Sequence, residues 1–330
     1  MSGGRFGAAN LASEVARMFF DRQLTKVEIA SRLGISRFRV ARLIDQALAD
    51  GIVRIEFRDV PDQDRTLAGE IEERYALDLC LVAAGEPSGS TAAARLAATL
   101  VDELLAPGEA IGIAWGSTLS QVVREMPRRN DPASAVVQLA GSSSRLHPER
   151  DPGELTRVLA ERLGGSHHRL YAPAFVESAE LRSALARQPD VAAAIAQFDQ
   201  LSMALVGIGA FGDGGPTSTS SLVSSGALEP AELDRVRALG AVGDLVVHAF
   251  DRSGAFVAPE ISDRAMAISV EQLRSVPRVI AIAAGEGKTA AIRGALETGV
   301  ISILVTDAAA AVGVARPRSG RPRPTAGSRP

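Results

Sequence analysis

Cysteine is almost missing from this sequence: 330 residues contain one, Cys80. A lone thiol closes no internal disulfide, and without a Cys-x-x-Cys pair no zinc site is expected. Long apolar runs are missing too. None approaches the roughly 18 residues of a bilayer-spanning helix, so no membrane contact is expected. The opening stretch MSGGRFGAANLASEVARMF has no apolar segment of the kind that marks a secretory signal. The expected compartment is therefore the reducing cytoplasm. Two catalytic signatures are also lacking, the Gly-x-Ser-x-Gly elbow and the His-Glu-x-x-His helix. His167 and His168 are neighbours, so in a strand they face opposite ways and make a poor metal pair. No catalytic residue, metal or cofactor is assigned. Lysine is the last scarcity: of 36 Lys and Arg, only Lys26 and Lys288 are lysines.

What is present fits a globular chain. A length of 330 and a hydrophobic fraction of 46% suggest about two domains with sizeable cores. The net charge of −3 is unevenly spread. Residues 1–58 carry +4, residues 315–330 carry +5, and residues 59–314 carry −12. A basic end on an acidic body suggests that one end meets a polyanion. The expected organisation is a DNA-binding domain at 1–58, a linker at 59–65, an effector-binding domain at 66–314 and a disordered basic tail at 315–330.

Within the first 58 residues the apolar spacing of Leu11, Val15, Met18 and Phe19 predicts one helix. Thr25-Lys-Val-Glu28 is a capping box that opens a second, which stops at Gly34. Ser36 caps a third, running to about Ala49. A strand is expected at Ile52–Phe57. Helix, Gly turn and helix together make a helix-turn-helix, with the following strand pair as a wing. On the third helix Val40, Leu43, Ile44 and Ala47 share the inward face. Phe38, Arg39, Arg42 and Gln46 lie opposite. Arginine pairs with guanine edges, glutamine with adenine, and Phe38 suits a thymine methyl. Arg32, Arg37 and Arg54 are placed for phosphates, and Ser36 completes the candidate DNA-binding set. A small helical subdomain with a solvated basic face would show the same charges.

The body changes rhythm. Apolar runs at 79–83, 110–114, 135–139, 201–207, 244–247, 278–283 and 301–305 alternate with helical stretches at 91–105, 118–126, 154–163, 180–198, 230–238 and 289–298. Buried strands separated by helices predict a mostly parallel sheet covered on both faces. Two strand-to-helix turns resemble anion sites. Gly116-Ser117-Thr118 follows one strand, and backbone N–H groups plus hydroxyls at a helix start suit a phosphate or a sugar. That segment lacks the Walker lysine and does not match Gly-x-Gly-x-x-Gly, and a plain capped helix would read the same way. The second is Gly285-Glu-Gly287-Lys288. A cation at a helix start is misplaced unless an anion sits there, and a chain that prefers arginine has kept a compact ammonium. Asp244 follows Gly243 and would accept sugar hydroxyls, or serve as a turn residue.

In order and spacing these segments resemble the SorC/DeoR-type sugar-responsive transcriptional regulators. LTKVEIASRLGISRFRVARLIDQALADGIVRI is similar to their DNA-reading segment. GIAWGSTLSQVVREMP, VVQLAGSSS, LYAPAFVES, VGIGAFGD, GAVGDLVVHAFDRSG and AIAAGEGKTAAIRGALETGVISILVTD are similar to their sugar-binding domain. The resemblance covers about residues 11–314. It implies an α/β chain with an N-terminal helix-turn-helix (winged-helix-like) domain and a Rossmann-like, phosphosugar-isomerase-like effector domain. It further implies a homotetramer arranged as a dimer of dimers, with operator DNA and a sugar or sugar phosphate as partners. By the same resemblance Gly116, Ser117, Thr118, Gln138, Gly141, Asp244 and Lys288 line the effector pocket. The sequence departs at Ala140 from some deoxyribose-phosphate-responsive members of the family, which carry there a lysine that bonds covalently to the sugar; no such capture is expected here. The Arg/Pro tail from Ala315 also lies outside the family pattern. The reading is a regulator of carbohydrate catabolism. Its rival is a sugar-phosphate isomerase or deaminase with an attached DNA-binding domain, for which the sequence offers no acid–base pair at a Gly-rich turn.

Overall fold

The computed structural model describes residues 8–53, 62–85, 89–143, 145–212, 220–226 and 228–316. They belong to two compact units, Met1–Asp59 and Val60–Pro330.

The first unit contains helices α1 (Ala8–Phe20), α2 (Lys26–Leu33) and α3 (Arg37–Ala49). Local chemistry sets their ends. Thr25 Oγ1 accepts from the Glu28 N–H at 3.3 Å while Glu28 Oε2 accepts from the Thr25 N–H at 2.8 Å, so two orphan donors are satisfied reciprocally. Gly34 closes α2 in the left-handed region, at φ 64°, where a side chain would be strained. Ser36 Oγ then accepts from the Arg39 N–H at 3.2 Å and starts α3. Val15, Ile29, Val40, Leu43, Ile44 and Ala47 form the core of this unit. The expected strand at 52–57 does not begin at Ile52. The Val53 N–H donates to the Ala47 carbonyl, which folds the chain back on the end of α3. Residues 54–57, Arg54 among them, lie outside the described residues.

The second unit is built on strands β1 (Leu79–Ala83), β2 (Ala110–Ile113), β3 (Ala135–Gln138), β4 (Ser166–His168), β5 (Met203–Ala210), β6 (Ala241–Leu245), β7 (His248–Asp251), β8 (Arg278–Ile282) and β9 (Ile303–Asp307). Seven run parallel in the order β1-β9-β8-β5-β2-β3-β4, and the antiparallel pair β6–β7 joins through β5. Helices such as α4 (Arg65–Tyr75), α5 (Ser90–Leu104), α6 (Ser117–Glu125) and α7 (Pro152–Leu163) pack on it. The central strands are almost entirely buried, which is why they read as continuous apolar runs.

Strand order positions the site. From β2 the chain steps outward to β3 and β4; from β5 it steps the other way, to β8 and β9. β2 and β5 are neighbours, so their carboxyl ends flank a topological switch point, where open α/β sheets form their ligand crevice. β5 continues past the parallel sheet, and Ile208–Ala210 pair antiparallel with Leu245–Gly243. This folds the β6–β7 hairpin across the mouth of the crevice.

Several expectations need correction. The strand expected at 244–247 is β6, Ala241–Leu245, and Val246 is a turn residue at φ 60°. The helix expected over 180–198 is two, Ala179–Ala186 and Pro189–Ala196, because Pro189 has no N–H to continue the first. Part of the expected linker is docked structure. The Asp64 N–H donates to the Val82 carbonyl, and Asp64 caps α4 from Arg65 onward. Ala315, placed in the tail, is the buried last residue of the Ala308–Ala315 helix. The tail from 317 lies outside the described residues. The strands β4 and β7 were not anticipated.

Candidate functional site

The crevice between β2 and β5 holds a pocket lined by Trp115, Gly116, Ser117, Thr118, Asp244 and Lys288, among others. Three separate stretches supply these residues: the turn after β2, β6 and the turn after β8. The turn after β2 carries Trp115 to Thr118. Gly116 sits at φ 123°, a region that favours glycine, and this swings the chain directly into α6. No side chain caps α6. The backbone N–H groups of Ser117, Thr118 and Leu119 have no acceptor among the described residues. The Gly116 N–H differs: it donates to the Arg150 carbonyl at 3.3 Å. Three donors are therefore available to a ligand where the sequence suggested a cradle that began one residue earlier.

Lys288 comes from the turn after β8, immediately before the Thr289–Glu297 helix. Its Nζ donates to the Ile208 carbonyl at 2.8 Å, which leaves two of its three donors. Burial pulls its pKa down, and the charge of Asp244 opposes that pull. Asp244 is 3% exposed and accepts from Ser220 Oγ at 2.5 Å. Burial pushes its carboxyl up to about 7, against the Ser220 hydrogen bond and the Lys288 charge. Gly209 lies directly across the β5–β6 pairing from Asp244; a Cβ there would overlap Asp244 Oδ1. The indole N–H of Trp115 donates to the Val246 carbonyl at 2.8 Å. That bond ties the strained hairpin turn to the pocket wall. The cavity among these groups is small, about 30 Å³.

The structure thus brings together Gly116, Ser117, Thr118, Asp244 and Lys288. Gln138 and Gly141 are elsewhere. Gln138 is buried, its Nε2 donating to the Ala140 carbonyl at 2.7 Å and its Oε1 accepting from the Leu170 N–H at 3.1 Å. A Cβ on Gly141 would strike the Ala172 and Pro173 carbonyls. Both pack the turn beyond β3. Ser142 and Ser143 of that turn hold Asp151, at 3.0 and 3.2 Å, beside the Arg150 carbonyl that anchors Gly116. Ser220, which donates to Asp244, and Ser221, which also lines the pocket, carry no local signal in the sequence. The sequence also hides the Asp244–Lys288 pair, because neither residue marks the other in the chain.

On α3 the inward face, Val40, Leu43, Ile44 and Ala47, is buried, while Arg37, Phe38, Arg39, Arg42 and Gln46 are exposed. Phe38 is 69% exposed, and the Arg37 guanidinium lies 5.1 Å from its ring centroid. Arg32 on α2 and Ser36 are also exposed. Among the described residues no group of His, Cys, Asp and Glu is placed to hold a metal, and no helix is long and apolar enough to cross a membrane.

A family model described as "Putative sugar-binding domain" matches residues 61–315. The erythritol catabolism regulatory protein EryD of Brucella abortus is 31% identical over 307 residues, 90% of this chain and 94% of its own. The sorbitol operon regulator of Klebsiella pneumoniae is 28% identical over 308 residues, 90% and 95% of the two chains. The solved full-length sorbitol operon regulator SorC from Klebsiella pneumoniae matches with a TM-score of 0.71 at 27% identity, over 93% of this chain and 99% of that one.

Proposed function

Because the chain belongs to the SorC/DeoR-type family of sugar-binding transcriptional regulators, we propose that it is a cytoplasmic regulator of carbohydrate catabolism. In this reading a sugar or sugar phosphate in the β2–β5 crevice controls operator binding by the helix-turn-helix. The observation that carries it is one pocket at the switch point holding free helix-start N–H groups, a lysine and a buried acid. Such a set suits a polar anion bearing hydroxyls.

Lys288 and the N–H groups of Ser117 and Thr118 take the phosphate, and Asp244 takes a sugar hydroxyl. Gly116 shapes the turn and is held by Arg150. Gln138 and Gly141 act from behind, by packing the turn that supports Asp151 and Arg150. On α3, Arg39, Arg42 and Gln46 read base edges and Phe38 meets a thymine methyl; Arg32, Ser36, Arg37 and Arg54 face phosphates. In this reading effector binding shifts the population between DNA-competent and DNA-incompetent arrangements. The assembly is a homotetramer, a dimer of dimers, that presents paired reading helices to half-sites.

The test is a fluorescence titration with Trp115, the only tryptophan, as the probe. Hydrogen bonds to charged groups contribute roughly 1.5–3 kcal/mol, so Lys288→Ala should weaken sugar-phosphate binding about 10- to 150-fold. Lys288→Arg should also bind poorly, because a planar fork does not fill the place of an ammonium. Equal binding of free and phosphorylated sugars, or a wild-type titration by Lys288→Ala, overturns the phosphate assignment.

A further inference from the structure

Two consecutive serines stand against the Gly116 turn and are used differently. Ser220 caps the short Ser221–Ser224 helix, its Oγ accepting from the Leu222 N–H at 3.1 Å. The same hydroxyl donates to Asp244 Oδ1 at 2.5 Å, and Ser220 is buried. That hydroxyl is committed to holding the acid. Ser221, the next residue, lines the pocket and is half-buried. Its Oγ lies 3.3 Å from the point that a Cβ on Gly116 would occupy. The Ser224 and Ser225 hydroxyls each donate to a backbone carbonyl, of Ser221 and Leu222. The Ser221 hydroxyl makes no hydrogen bond among the described residues.

The groups around that hydroxyl decide its partner. The start of α6 offers the N–H groups of Ser117, Thr118 and Leu119, and Lys288 Nζ keeps two donors beyond its bond to the Ile208 carbonyl. These are donors only, so they gather an acceptor with several lone pairs, as phosphate oxygens are. A serine O–H can join such a set as one more donor. Asp244 is the one acid lining the pocket among the described residues. It already takes the Ser220 hydroxyl and, when ionised, repels a phosphate. The anion therefore belongs at the α6 side, within reach of Ser221, and the hydroxyl-bearing part of the ligand at the Asp244 side. Gly116 fits this arrangement. With only hydrogen on its Cα, residue 116 puts no side chain between Ser221 Oγ and the start of α6.

We propose that Ser221 is a phosphate ligand of the effector pocket, its Oγ–H donating to the oxygens held by Lys288 and the Ser117 and Thr118 N–H groups; this rests on the phosphate reading of that pocket. The two serines then divide the effector between them. Ser220 orients the acid that meets the sugar, and Ser221 binds the anion.

The experiment is a Trp115 fluorescence titration of the full chain with inorganic phosphate and with glucose 6-phosphate, at constant ionic strength. Both probes should saturate the wild type. Ser221→Ala should weaken each at least about tenfold, because the lost bond goes to a charged group. Ser221→Thr keeps the hydroxyl and should stay within about threefold of wild type. Both variants should melt with the wild type, since the Ser221 hydroxyl bonds to nothing among the described residues. A wild-type titration by Ser221→Ala, alongside a weakened Lys288→Ala, overturns the Ser221 assignment and leaves the phosphate reading standing. A loss that Ser221→Thr does not restore, or one that comes with a lower melting temperature, makes Ser221 a packing residue and also overturns it. A wild type that binds neither probe up to about 10 mM overturns the phosphate reading itself, and this assignment with it.

Discussion

Asp244 pays for its place in the pocket with a proton. An unfolded aspartate titrates near 3.9, whereas burial lifts this one to about 7. Between these values the folded chain keeps a proton that the unfolded chain has released, so stability falls as pH rises through that window. Asp244→Asn removes the titrating group. Its melting temperature should vary less than wild type between about pH 5 and 8, with the difference favouring the variant at the alkaline end. Parallel melting profiles for the two proteins would show that the acid does not titrate there. Gly209 is the companion residue. Since a Cβ would overlap Asp244 Oδ1, Gly209→Ala should cost about 1–3 kcal/mol of stability, the usual range for overpacking. It should also weaken effector binding, because Asp244 is the group displaced. Denaturant unfolding and the Trp115 titration read the two effects separately.

At the scale of the element, α3 divides its labour by face. Its buried side holds the first unit together, and its outer side carries Arg39 and Arg42, exposed and free of ion pairs among the described residues. Replacing either by Ala should therefore weaken operator binding by about 1–3 kcal/mol if it contacts a base bidentately, and leave the melting curve in place. Gel-shift titrations that match wild type would reassign the reading face. This face was legible in the sequence because a helix repeats every 3.6 residues and its caps are local. The strand after it was not legible. Ile52 and Val53 alternate like a strand, but the Val53 N–H is taken by Ala47, a contact that no local pattern announces. Pro189 is the converse case, a visible local signal that splits the helix expected over 180–198.

For the whole molecule, the proposed homotetramer raises the question of which unit would carry assembly. The first unit is small, and its most exposed large apolar residues, Val27 and Phe38, lie in the segment assigned to DNA. The second unit exposes Tyr171, Leu181, Leu239 and Val312, and it has its own continuous core. Residues 60–316 alone should therefore remain oligomeric, as measured by light scattering at micromolar concentration. A strictly monomeric mass, with the full chain oligomeric in the same measurement, would move the subunit contacts to the DNA-binding unit; a monomeric full chain would overturn the proposed tetramer. The acidic body also predicts that nucleic acid binding by this segment is negligible at physiological salt.

By itself the sequence determined what depends on neighbours in the chain. It set the capped helices of the reader, the buried parallel strands, the glycine turns after β2 and β8, and the lysine kept at the second of them. The tertiary structure decided which of these meet. Asp244 finds Ser220 across 24 residues and Lys288 finds the Ile208 carbonyl across 80, and only the order of the strands determines that. Gln138 was drawn toward the pocket by its motif, yet its amide satisfies the turn beyond β3, because a buried polar group takes the nearest partner the fold supplies. The Gly116 N–H is likewise spent on Arg150. Sequence carries periodicity and capping, which act over one or two turns. The pairing of distant polar groups is fixed by strand order and by the demand that each buried donor and acceptor be satisfied, and both belong to the folded chain.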